Sequence, residues 1–171
     1  RDQYRVSAQL ITAVDHPSFI GSYPAEVSRE RARAELGIAQ DAMVFGHVGL
    51  LRRYKGLQAL LEAYDGVVAP STMLLIAGRA SDDETADALH TARESSRIRV
   101  DEGFVPGDRL QVYFRAADAI VLPYSRVFTS GSAALAGTFG RAVIAPSVGC
   151  LPDQVADAGI LYDPADPDGL R

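Results

Sequence analysis

One lysine stands among the 17 basic residues of this 171-residue chain; the other sixteen are arginines. Lys55 lies in "GLLRRYKG" (49–56), where it joins Arg52 and Arg53 between Gly49 and Gly56 at the end of an apolar run. A planar guanidinium fork and an ammonium point charge both suit phosphate oxygens. A basic loop taken alone is more often a solvated connection, and its place after a strand shifts the balance toward function. The second stretch is "FTSGSA" (128–133). Its glycine, Gly131, allows close backbone approach to a ligand. The free N–H groups of a helix starting there attract anions, with Ser130 and Ser132 as added hydroxyl donors. The competing explanation is an ordinary Ser or Thr N-cap. Neither stretch is a Walker loop or a Gly-x-Gly-x-x-Gly fingerprint.

Other candidates carry less. His47 falls inside an apolar run, the place of a packed core histidine. His90 falls mid-helix on an exposed face, and His16 has no metal-ligand spacing beside it. Asp82, Asp83 and Glu84 are explained by helix capping rather than by metal binding. No metal and no cofactor are expected. No nucleophile with its base and no catalytic acid–base pair is visible.

The net charge of −5 excludes a general nucleic-acid or membrane-surface binder, which needs a basic field, so any anionic ligand must be held by local cations. With 47% hydrophobic and 23% charged residues, the chain suits one soluble domain with a substantial core. A single cysteine, Cys150, rules out an internal disulfide and leaves the cytoplasm as the default compartment. No apolar run is long enough to span a membrane. The first residue is not methionine, and "DPADPDGLR" reads as the onset of a helix at the last residue, so a piece of a longer protein is expected.

Strand and helix signals alternate along the chain. Apolar runs at 43–50, 72–78, 97–105, 119–123, 141–146 and 159–163 read as strands. Helical patterns occupy 28–37, 57–67, 81–96 (opening on Ser81), 107–118, the small-residue stretch after the Thr-Ser-Gly-Ser loop, and 152–157. The pattern predicts an α/β fold with a doubly wound, Rossmann-like parallel sheet, which binds ligands at the carboxyl ends of its strands. Residues 1–27 are less regular and read as an approach segment before the domain at 28–171.

Assembled in order, "HPSFIGSYP", "FGHVGLLRRYKGLQALLEAY", "LLIAGRA", "GFVPGDRLQVYFRAADAIVLPY", "GRAVIAPSVGCLPD" and "AGILYDPADPDGL" resemble the C-terminal, nucleotide-sugar-binding half of a GT-B glycosyltransferase. The resemblance is to family four, the glycosyl transferases group 1, over about residues 14–171. It implies a donor diphosphate held by Lys55, with Arg52 in place of the arginine whose usual position is Leu50. It implies further phosphate contacts at Ser130, Gly131 and Ser132, and a donor-site loop that includes Gly49, Thr129, Tyr124 and Arg126. The segment Gly103 to Pro106, with Phe104 and Val105, matches the loop that meets the nucleobase, and Gly78 and Arg79 end a strand beside it. The family's two glutamates, eight positions apart, are replaced here by Val127 and Leu135, and neither can accept a hydrogen bond from a sugar or ribose hydroxyl. The implied activity is transfer of a hexose-type sugar from UDP- or GDP-sugar to a glycan, lipid-linked or small-molecule acceptor, without a metal. The acceptor belongs to an N-terminal domain of the same protein, which would carry any peripheral membrane association. The 171-residue piece is expected to be inactive alone. The alternatives are a GT-B-fold sugar-nucleotide epimerase and a non-catalytic sugar- or partner-binding domain.

Overall fold

The computed structural model describes residues 16–67 and 69–171, together with Gln9, Thr12 and Val14; the rest of the approach segment lies outside the described residues. Six strands form one parallel sheet: β1 (Met43–Val48), β2 (Thr72–Gly78), β3 (Ile98–Glu102), β4 (Ala119–Val121), β5 (Ala142–Pro146) and β6 (Gly159–Tyr162). Between and before them run α1 (Arg29–Leu36), α2 (Leu57–Asp65), α3 (Asp83–Ala92), α4 (Leu110–Ala116), α5 (Gly131–Thr138) and α6 (Leu151–Val155). The spatial order is β3-β2-β1-β4-β5-β6, the doubly wound arrangement that the alternation predicts. Strand order reverses between β1 and β4. The crevice of such a sheet opens at that reversal, at the carboxyl ends of the strands.

Side chains of period two sort the core into two layers. Val44, Val48, Leu75, Ala77, Ile120 and Leu122 pack with the buried faces of α1, α4, α5 and α6. Leu74, Ile76 and Val121 pack on the other face against Leu57, Leu60 and Tyr64 of α2 and Leu89 of α3. Covering both faces explains why the strands read as continuous apolar runs rather than alternating ones.

Three local expectations change. The α3 N-cap is Asp82, not Ser81: its carboxylate accepts from Thr85 N at 3.0 Å and from the Thr85 hydroxyl at 2.6 Å, while Ser81 donates to Asp82 instead. Residues 107–118 divide into a 3-10 turn at Gly107–Arg109 and the shorter α4. The last residues form turns rather than a helix onset. There the Asp163 and Asp166 carboxylates take the N–H groups of Ala165 and Asp168, an alternative that competes with helix formation.

At the amino-terminal end of the sheet, Arg33 is fully buried. Its guanidinium donates to the carbonyls of Ala116, Ala39, Gln40 and Ala42 and to Asp118, the last at 2.7 Å. Asp118 also accepts from Val44 N and from Arg29. Although burial opposes it, these donors hold the Asp118 carboxyl below the usual carboxylate range.

Candidate functional site

β1 leaves the sheet through Gly49 and Leu50, and a 3-10 turn at Arg53–Lys55 carries the chain to Gly56 and α2. Gly56 has φ +73°, and a Cβ there would lie 2.0 Å from the carbonyl oxygen of Pro123, so only glycine fits. That contact joins the loop after β1 to the loop after β4. Ser125 N donates to Tyr54 O at 2.9 Å, and the Tyr54 ring meets Tyr124 edge-on. Lys55 is thereby held with its Nζ 5.5 Å from the centre of the buried Tyr124 ring.

α5 approaches from the opposite side of the reversal. A Cβ built on Gly49 would lie 3.5 Å from Ser132 Oγ and 3.7 Å from Lys55 Nζ, which measures how closely the three residues converge. Ser130 is the N-cap of α5: its hydroxyl accepts from Ala133 N at 3.2 Å, and its own N–H donates to Gln154 Oε1 at 2.9 Å. The next two N–H groups, of Gly131 and Ser132, have no acceptor among the described residues. The Thr-Ser-Gly-Ser loop is therefore both things that its sequence allows, a capped helix start and a pair of unused donors.

The electrostatics favour an anion here. Burial holds the Lys55 ammonium below the usual lysine range; Tyr54 opposes the shift and Arg52 adds to it. Among the described residues no carboxylate pairs with Lys55. A partly desolvated cation without a counter-ion is stabilised by a bound anion. His47, on β1, is fully buried, and its Nδ1 lies 2.9 Å from Val121 O. Burial pushes its pKa down to about 4, with the Val121 carbonyl opposing and Lys55 contributing, so the ring is neutral at physiological pH. Its Nε2 has no partner among the described residues. Burial likewise raises the Tyr124 phenol, against the hydroxyls of Ser132 and Ser130.

Of the residues singled out in the sequence, Gly49, Lys55, Tyr124, Ser130, Gly131 and Ser132 come together. Arg52 is exposed at the rim, and Arg53 turns away to Glu84 at 3.1 Å. Arg126 and Thr129 line a cavity of about 640 Å³ with Tyr54, Val127, the exposed Phe128 and Gly149. Gly78 packs against the Gly49 carbonyl and accepts from Gly103 N at 3.0 Å, which places the Phe104 and Val105 segment on the flank toward β2 and β3. Arg79 and Phe104 are exposed there, while Val105 packs on the core. Sequence reading misses Gln154, whose contact with Ser130 spans 24 residues and has no local signal. Gly56 is legible only as a loop glycine. Among the described residues no three His, Cys, Asp or Glu side chains cluster as a metal site requires.

The family model of the glycosyl transferases group 1 matches residues 42–171. Among curated proteins, a GDP-mannose:glycolipid 4-beta-D-mannosyltransferase of Xanthomonas campestris is 31% identical, over 68% of this chain and 35% of its own length. A D-inositol 3-phosphate glycosyltransferase of Corynebacterium glutamicum is 33% identical, over 78% of this chain and 34% of its own. The chain thus spans about a third of these relatives. Among solved structures, Anabaena HepE in complex with UDP-glucose superposes with a TM-score of 0.81 at 20% identity, over 99% of this chain and 48% of that one. The sucrose-phosphate synthase of Thermosynechococcus elongatus gives 0.70 at 26% identity, over 86% and 40%.

Proposed function

The chain belongs to the glycosyl transferases group 1 family, and from that premise we propose that it is the donor half of an enzyme moving a sugar from a nucleoside-diphosphate sugar to an acceptor. The observation that carries this reading is the convergence of Lys55 Nζ, Ser132 Oγ and the unused N–H groups of Gly131 and Ser132 at the point where strand order reverses. As the glycosidic bond breaks, negative charge grows on the leaving diphosphate. Lys55 and the α5 donors are fixed in place to meet that charge, with Arg52 at the rim. The nucleobase lies toward Gly78, Arg79, Phe104 and Val105. The sugar lies toward Tyr124, Arg126 and Thr129, in a loop where Val127 replaces a hydrogen-bonding side chain. The relative named for GDP-mannose and the neighbour solved with UDP-glucose support a nucleotide-sugar donor.

Residues 28–171 form the donor-binding unit, and 1–27 lead to it from an N-terminal domain that holds the acceptor. The compartment of this reading is the cytoplasm; among the described residues, no helix is long and apolar enough to cross a membrane. Calorimetric titration with UDP and with GDP tests the site. One nucleotide binds, and Lys55→Ala weakens it by roughly 1.5–3 kcal/mol, the worth of a charged hydrogen bond. Equal binding by Lys55→Ala removes Lys55 from the site; no binding of either nucleotide means a cleft that needs its other half or a lost donor site, and the same titration on the full-length protein decides between them.

A further inference from the structure

Gln154 lies on α6, on a different crossover from the loop it touches. Its Oε1 accepts from Ser130 N at 2.9 Å and from the Cys150 thiol at 3.0 Å, and its Nε2 donates to Ser130 O at 3.4 Å. One carboxamide thus grips both sides of one residue, the N-cap of α5. The grip uses a donor and an acceptor at once, so neither an aliphatic side chain nor a carboxylate reproduces it. With Ser130 N held by Gln154 and Ala133 N held by the Ser130 hydroxyl, the N–H groups left over among the described residues are those of Gly131 and Ser132, adjacent in the first turn of α5.

We propose that Gln154 is a positioning residue for the anion cradle: by bracketing the Ser130 backbone it fixes which two α5 N–H groups meet the donor's phosphate, and their direction. This rests on the donor-site reading above. Gln154 itself need not touch the ligand.

The test is titration of the chain with inorganic pyrophosphate, followed by the amide resonances of Gly131 and Ser132, in the unaltered protein and in Gln154→Met, Gln154→Glu and Lys55→Ala. Both amides shift on binding in the unaltered chain. Gln154→Met keeps the side-chain volume without the bracket, and its affinity falls about tenfold, the scale of one lost hydrogen bond's worth of order. Gln154→Glu is weaker still at about pH 7.5 and regains affinity relative to the unaltered chain as pH falls toward about 4.5, because a protonated carboxyl again offers one donor and one acceptor. A merely structural role would lower the thermal midpoint without that acid rescue. If Gln154→Met binds as the unaltered chain does while Lys55→Ala does not, the inference falls and the donor site stands. A Gln154→Glu deficit that ignores pH also overturns it. If neither amide moves in the unaltered chain, the donor-site reading falls, and the inference with it.

Discussion

The two ends of the sheet treat a desolvated cation in opposite ways, Arg33 fully and Lys55 partly withdrawn from solvent. At the amino-terminal end Arg33 has four carbonyls and a carboxylate around it, and Asp118 in turn is satisfied by Val44 N and Arg29. At the carboxyl end, among the described residues, Lys55 has an aromatic ring and no acid partner, His47 Nε2 has no partner, and two helix N–H groups have no acceptor. Both ends are built by the same strands. The difference is closure: the Arg33–Asp118 pair is complete without a ligand, and Lys55 is completed by one. Buried polar groups are ordinarily satisfied, so an unsatisfied set gathered at a strand-order reversal marks the face where binding offsets the cost of folding.

The largest effect should come from breaking the closed end. Arg33→Met leaves the carbonyls of Ala116 and Ala42 without donors and strips one partner from Asp118. Removing one partner of a buried ion pair costs roughly 3–5 kcal/mol. Urea denaturation should show that loss, while the nucleotide affinity of the folded fraction stays as it was. A variant of unchanged stability that no longer binds nucleotide would erase the distinction between the two ends.

The open end has a pH signature of its own. His47 titrates near 4 in the folded chain against an ordinary value of 6.5, so the unfolded chain takes up a proton that the folded one refuses. Stability is then complete above about pH 6.5 and declines as pH falls toward 4, by about 2 kcal/mol between pH 7 and pH 5. Urea midpoints at those two pH values, compared with His47→Leu, isolate the histidine's contribution: the variant should show a visibly shallower decline. Equal slopes would mean that His47 is not held neutral, and the open end would lose one of its unsatisfied groups.

Much of this was legible in the residues. Continuous apolar runs with intervening helices give the doubly wound sheet, because a strand covered on both faces has no polar side to alternate with. Lys55 was legible because it is the only lysine and follows a strand. Gln154 was not, since a bracket between residues 24 apart has no periodicity and no composition. The cap at Asp82 was misplaced by one residue because Ser81 and Asp82 are both good caps, and the choice was settled by the Thr85 hydroxyl, a contact at short range but in three dimensions. The strand order, and with it the meeting of the loops after β1 and β4, follows from packing rather than from either loop's own sequence.

The smallest effect sharpens the comparison within a single loop. Arg53 and Lys55 are two residues apart, yet Arg53 is 80% exposed and paired with Glu84 at 3.1 Å, while Lys55 points inward. Exposed ion pairs are worth roughly 0–1 kcal/mol. Arg53→Ala should therefore change thermal stability by less than about 1 kcal/mol and nucleotide affinity hardly at all. Calorimetry on Arg53→Ala beside Lys55→Ala reads the contrast directly. Were the two to lose comparable affinity, the site would be binding by the summed charge of the loop, and salt would weaken both alike. A loss confined to Lys55 makes the site a matter of one cation's direction, set by the collision that would follow any side chain at Gly56.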